Sequence, residues 1–280
     1  MEKAMYKYSL GMYEKALPDD MPLEEKMQLA KESGYDHVEF CVDLNEERAA
    51  RLSWSVEERE KWRSLSVKMG VPFTTFSLSL LRKTPLGLLD REKNQEAFRV
   101  IDEGCALAAA LGSRVMLVNG YDVYDEPSTP ETVARFYENL PVAVGICAYH
   151  GVIMGIENAE MPFCSTISDA AEFCRRVPSP FFRVYGDIGN TTNAFAGDAD
   201  RTAADLLKGK GYVTSLHLKD SIPGEYRFRD YGKGHVDFQR CIDAAKEIGV
   251  HIFTAEIFCD TSKDYVNYVA EVSRFLRGYF

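Results

Sequence analysis

Short runs rich in β-branched and aromatic residues alternate with longer amphipathic stretches, and the pair recurs eight times along the 280-residue chain. The pattern predicts strands over 5–13, 37–43, 73–80, 114–120, 152–158, 182–190, 213–220 and 251–258. Helices are predicted over 23–33, 55–69, 91–111, 132–149, 168–177, 200–208, 238–248 and 264–278. Gly34, Gly70, Gly112, Gly151, Gly211 and Gly249 stand where a helix should stop and the next strand begin. A doubly wound open sheet seldom runs so regularly to eight units. The expected fold is therefore α/β, a closed parallel (β/α)8 TIM barrel, with residues 1–280 as a single domain.

Composition limits what such a barrel does. Lys plus Arg total 33 against 43 Asp plus Glu, a formal charge of −10 that repels phosphate backbones and argues against a nucleic-acid partner. The longest apolar stretch, 141–156, is broken by His150 and three glycines and falls short of the ~20 residues a membrane span needs. Seven Cys form no C-x-x-C pair, and MEKAMYKYSLGMYEK lacks the apolar segment of a signal peptide. A cytoplasmic, reducing setting is expected.

Barrels of this kind carry their chemistry at the C-terminal ends of the strands, so polar residues sort by the strand end they occupy. His37 and His251 open strands and His150 closes a helix, which places all three on the opposite, stability face. His235 falls in the loop after strand seven with nothing to pair with it. Strands five to eight end in Glu157, Asp187, His217 and Glu256, separated by 30, 30 and 39 residues. Each alone is an ordinary polar strand cap. One per consecutive strand is the arrangement that lets four side chains converge at a barrel mouth. The preceding inward positions, Gly155, Tyr185, Ser215 and Thr254, are mostly small and would leave room beneath.

Three carboxylates and one imidazole form a hard O/N set suited to one divalent ion, Zn²⁺, Mn²⁺, Co²⁺ or Mg²⁺. Such an ion polarises a carbonyl and a neighbouring hydroxyl. Glu157 and Glu256 come from strands three apart in the ring, so they flank a bound carbon and can take a proton from one face and return it to the other.

LGMYEKALP, HVEFCVD, RLSW, SLLRKTPLG, NGYDVYDE, DIGN, HLKD and GKGHVDF run through almost the whole chain. Together they resemble the L-ribulose-5-phosphate (L-xylulose-5-phosphate) 3-epimerases of the xylose-isomerase-like barrel superfamily. The resemblance implies a metal-dependent epimerase, usually a homodimer, acting on a small sugar phosphate. It assigns Glu157, Asp187, His217 and Glu256 as metal ligands, with the two glutamates as the acid/base pair. Two departures stand out: Leu81 where the family often has His, and Lys233 where an acidic residue sits between the glycines.

Candidates for gripping the phosphate are Arg48, Arg51, Arg82, Lys83, Lys219, Arg227, Arg229 and Lys233, each of which surface solvation would equally explain. Lys219 has the best claim, two residues after His217 on the same inward face. Asn190 is placed to hydrogen-bond a sugar hydroxyl, and Gly232 and Gly234 would let backbone N–H groups approach an anion. Glu39 is either a substrate contact or a satisfied core carboxylate. The competing activities are a free-ketose 3-epimerase and an aldose–ketose isomerase. A metal hydrolase like the abasic-site endonucleases would need a histidine-rich multi-metal cluster and a basic groove, and the chain shows neither.

Overall fold

The computed structural model describes residues 6–280; Met5, where the predicted first strand begins, lies outside them. Eight strands, β1 (Ser9–Tyr13), β2 (His37–Val42), β3 (Thr75–Leu78), β4 (Val115–Asn119), β5 (Ile153–Glu157), β6 (Phe182–Asp187), β7 (Val213–Leu218) and β8 (Ile252–Ala255), pair in sequence order. All pairs are parallel, and β8 closes on β1. Between and after them run α1 (Leu23–Glu32), α2 (Glu46–Ala50), α3 (Val56–Met69), α4 (Arg91–Leu111), α5 (Pro130–His150), α6 (Ile167–Arg176), α7 (Ile188–Ala194), α8 (Ala199–Lys208), α9 (Phe238–Glu247) and α10 (Tyr265–Arg277). Among the described residues, no helix is long and apolar enough to cross a membrane.

Local chemistry sets the boundaries. Ser55 and Glu58 form a capping box that starts α3, and Thr129 with Thr132 and Thr166 with Asp169 do the same for α5 and α6. Gly70, Gly112 and Gly151 end α3, α4 and α5 with φ between 70° and 87°, a left-handed conformation that a Cβ would strain.

The strands are buried on both faces, as β2 shows by having all six residues buried. One large apolar core lies between the strands and the helices, whereas Val115, Leu117 and Tyr185 form a separate cluster inside the barrel. Deeper in the interior, the His37 ring accepts or donates to Ser9 Oγ at 2.8 Å and takes the space a Cβ at Gly11 would need, 2.1 Å from its Nε2. His37 is thus structural, as its place at the start of a strand indicates.

All eight predicted strands run longer than the observed ones, and three of them show why. β3 gives way after Leu78 to a helical turn, Ser79–Lys83, and β8 ends at Ala255, one residue before Glu256. β6 ends at Asp187, because that side chain accepts from Asn190 N at 2.8 Å and starts α7. Asn190 therefore sits on a helix rather than in the strand. Tyr185 also overturns the expected room beneath the site. Its ring fills that space against Gly155 and its hydroxyl bonds Glu39 at 2.5 Å and Thr254 at 3.0 Å.

Candidate active site

Glu157, Asp187, His217 and Glu256 converge at the C-terminal mouth of the barrel, each offering one donor atom within 4.8 Å of the other three. The strands do not align them in one row. Glu157 stands opposite Tyr185, Asp187 opposite His217, and His217 opposite Thr254, so the tilt of the strands brings residues of different pleat levels together. The first three are at most 4% exposed, and the Glu256 side chain is 10% exposed.

Each of the four is held by a neighbour. Glu157 Oε1 lies 2.8 Å from His217 Nδ1 and its Oε2 accepts from Asn119 Nδ2 at 2.6 Å. Asn158 accepts from Asp187 N at 2.8 Å and donates to the Asp187 carbonyl at 3.0 Å. Glu256 Oε1 stands 3.7 Å from the same His217 Nδ1. His217 Nε2 points away from the mouth to Glu39 Oε1, 2.7 Å off. Glu39 is thus the satisfied carboxylate of the two alternatives, fully buried beneath the site.

Lys219 does not stand free at the rim. Its ammonium lies 2.8 Å from both Asp187 Oδ2 and Glu256 Oε2, off the axis of a regular hydrogen bond, so neither oxygen has a well-aligned donor. Burial pushes the Asp187 carboxyl up to about 7 and also raises Glu157. Burial would raise Glu256 too, but Lys219 and His217 hold it down at about 2. The two glutamates are thereby driven apart in acidity. Burial would lower His217, yet Glu39 and Glu256 push it well above its ordinary value.

Three buried carboxylates and a ring nitrogen around one cation-sized point, with two carboxylate oxygens lacking an aligned donor, fit a divalent ion.

The cavity above is lined by Tyr13, Lys15, Arg82, Asn119, Tyr121, Tyr124, Asn190, Arg227 and Phe258 as well as by Glu157, His217 and Glu256 of the cluster. Asn190 donates to the Asn158 carbonyl at 2.8 Å while its own Oδ1, like Asn119 Oδ1, has no protein donor. Arg51 does not reach this cavity. Its guanidinium is committed to Glu14 at 2.6 and 2.7 Å and stacks on Phe40, which takes it out of the phosphate-gripping set. Lys233 is exposed and outside the cavity lining, and the Gly-x-Gly backbone wraps a carboxylate of its own chain: Asp220 accepts from Ser221, Gly234 and Val236 N–H groups. His235 meets Ser221 Oγ at 3.2 Å. Leu81 is buried in the apolar core and leaves the cavity to its neighbour Arg82.

The xylose isomerase-like TIM barrel family matches residues 27–279. A protein of Escherichia coli K12 named L-ribulose-5-phosphate 3-epimerase UlaE is 34% identical over 270 residues, which is 96% of this chain and 94% of that one. The chain belongs to this epimerase family. Its namesake from Escherichia fergusonii is 33% identical over the same extent. Membership makes the protein an enzyme of the isomerase class, an epimerase. The barrel itself is shared with a solved L-ribulose 3-epimerase (TM-score 0.79, 14% identity, 97% of this chain and 95% of that one). It is shared as well with the IolI protein solved with a bound zinc atom (TM-score 0.76, 17% identity, 97% and 99%). Asn119 and Asn158 contact the cluster and were passed over by sorting on titratable type. Asn119 ends β4 and Asn158 follows β5, in VNGY and IENA, and that position was their signal.

Proposed function

We propose that the protein interconverts L-ribulose 5-phosphate and L-xylulose 5-phosphate by proton transfer at C3. The observation that carries this reading is the convergence of Glu157 and Glu256, from β5 and the end of β8, within 2.8 and 3.7 Å of His217 Nδ1 in a cavity also lined by cations. A divalent ion held by Glu157, Asp187, His217 Nδ1 and Glu256, whether Zn²⁺, Mn²⁺, Co²⁺ or Mg²⁺, would polarise the C2 carbonyl and the C3 hydroxyl.

The chain's own residues do the rest. One glutamate takes the C3 proton, the C–H electron pair forms a C2=C3 double bond while the C2 carbonyl π pair moves onto its oxygen to give an enediolate, and the other glutamate delivers a proton to C3 from the opposite face as the carbonyl re-forms. The roles exchange when the reaction runs backwards. The opposite shifts of Glu157 and Glu256 prepare one acid and one base. Asn119 orients Glu157, Lys219 balances Asp187 and Glu256, and Asn190 Oδ1 is free to accept from a sugar hydroxyl. Phosphorylation of the substrate is supported by the relatives' name and by Lys15, Arg82 and Arg227 in the lining. The reading includes a homodimer in a reducing cytosol. Its support is the family resemblance and seven free cysteines, six of them buried.

A panel of phosphorylated and free ketopentoses followed by proton NMR tests the assignment. Conversion of L-ribulose 5-phosphate to L-xylulose 5-phosphate is expected, and formation of an aldose instead would move the protein to the aldose–ketose isomerases.

A further inference from the structure

α3 is lightly committed to the barrel. Of its 14 residues only Ser66 is buried, and Trp62, Leu65 and Met69 are half-buried against the core beside it. At 100° per residue these four make up the inward stripe of the helix. The opposite stripe, at i, i+4, i+7 and i+11, reads Val56, Glu60, Arg63 and Val67, within roughly 60° of arc and over about 16 Å of helix. All four face solvent, Val56 being 73% and Val67 64% exposed.

Local structure does not account for this stripe. Glu60 and Arg63 stand three residues apart, the spacing at which Lys93 pairs with Glu96 at 2.9 Å on α4 and Arg175 with Glu172 at 2.8 Å on α6, yet neither has an ion partner among the described residues. Val is a mediocre helix former, so propensity does not favour it at two solvent positions three turns apart. The stripe does have the same pattern from either end: apolar, charged, charged, apolar, with opposite charges at the centre. Turned end for end against a copy of itself, it sets Val56 on the partner's Val67 and Glu60 on the partner's Arg63, and a two-fold axis repeats both contacts. Glu57 and Lys68, exposed together on one flank, then meet as a further pair of opposite charges. Self-complementarity of this kind is what an isologous two-fold contact requires.

We propose that the outward face of α3 is the docking surface for a second copy of this chain, the two α3 helices packing antiparallel across a two-fold axis. This rests on the homodimer included in the reading above and names its surface. A slip of one turn in either direction brings the two Arg63 or the two Glu60 side chains together, so the charges fix the register as well as the partner. Exposed ion pairs are individually weak and screened by salt, which makes the association salt-sensitive. No α3 residue lines the active cavity, so both barrel mouths stay open in the pair.

The test is analytical ultracentrifugation of the full chain at low salt, over a range of concentrations, as wild type, Glu60→Arg, Arg63→Glu, the variant carrying both changes, and an equal mixture of the two single variants. Wild type should dimerise, and added salt should weaken the dimer. Each single substitution should raise the dimer Kd by at least about tenfold, because both central contacts become repulsive. The double variant should regain the wild-type Kd, since every Glu again meets an Arg. The mixture should regain it too, through a heterodimer that pairs one chain's two arginines with the other's two glutamates. Both positions are exposed, so thermal midpoints should stay near that of wild type. Single variants that dimerise as wild type does overturn the surface and leave the homodimer reading standing. A mixture no tighter than its components overturns the antiparallel pairing, and if either single variant does not fold, a double variant that fails to regain the dimer overturns it. A wild type that stays monomeric at every concentration defeats the homodimer reading together with the surface.

Discussion

Glu39 Oε1 lies 2.7 Å from His217 Nε2 at the floor of the site, where Glu39 is fully buried and also accepts from the Tyr185 hydroxyl at 2.5 Å. The contact fixes which nitrogen of His217 faces the mouth. With Nε2–H donating to Glu39, Nδ1 is turned toward Glu157 and Glu256 and is the one that offers a lone pair to a cation. Glu39→Gln should therefore weaken divalent-ion affinity by about 10- to 100-fold, the usual cost of losing a carboxylate behind a ligating histidine. Isothermal titration of the metal-free variant with Zn²⁺ or Mn²⁺ reads this directly. Unchanged affinity would mean that Glu39 only packs the barrel.

Arg51 and Glu14 give a prediction about stability instead. The pair is buried, with bidentate contacts at 2.6 and 2.7 Å and a third bond from Arg51 to the Cys41 carbonyl at 2.8 Å. Arg51→Met leaves buried Glu14 with only the Cys41 N–H at 3.0 Å and the more distant Lys26 ammonium at 3.9 Å, which costs about 3–5 kcal/mol. Urea unfolding should show that loss, with KM for the phosphorylated sugar near its wild-type value in the protein that remains folded. A raised KM with stability intact would return Arg51 to the phosphate.

His37 carries a pH prediction. Burial lowers its pKa to about 4, from an ordinary value of 6.5 that it regains on unfolding. The unfolded state then holds the extra proton, so the stability His37 contributes is complete above pH 6.5 and is lost as pH falls from 6.5 to 4. Unfolding free energies measured across that window should fall less steeply for His37→Gln than for wild type. Equal slopes would show that the ring takes up no proton on unfolding.

Much of this was legible in the chain before any coordinates, because a TIM barrel repeats its signals. The glycines at 34, 70, 112, 151, 211 and 249 all adopt positive φ where the turns were expected. The four strand-end residues converge because strand order in a closed barrel equals sequence order. What escaped had competing local or long-range causes. Residues 188–190 read as a continuation of the strand, and only the capping of α7 by Asp187 stops it there. The fate of Arg51 depended on Glu14, 37 residues away, and that of Lys219 on carboxylates brought in from two other strand ends. Pairings of that kind are tertiary facts, and no spacing encodes them.

Glu157→Gln and Glu256→Gln should each lower kcat by more than the ~10²–10⁴-fold typical of a single acid/base group, since each also faces the metal point. Neither should alter the fold. A variant of either glutamate with near wild-type turnover would remove it from the proton-transfer pair.

The central claim is that C3 loses its proton to one glutamate and regains one from the other. Metal-loaded protein, L-ribulose 5-phosphate and deuterated water, followed by proton NMR of the L-xylulose 5-phosphate formed, test it in a single experiment. Solvent deuterium should appear at C3 of the product from the first turnovers. Product that keeps only the original C3 proton would contradict it.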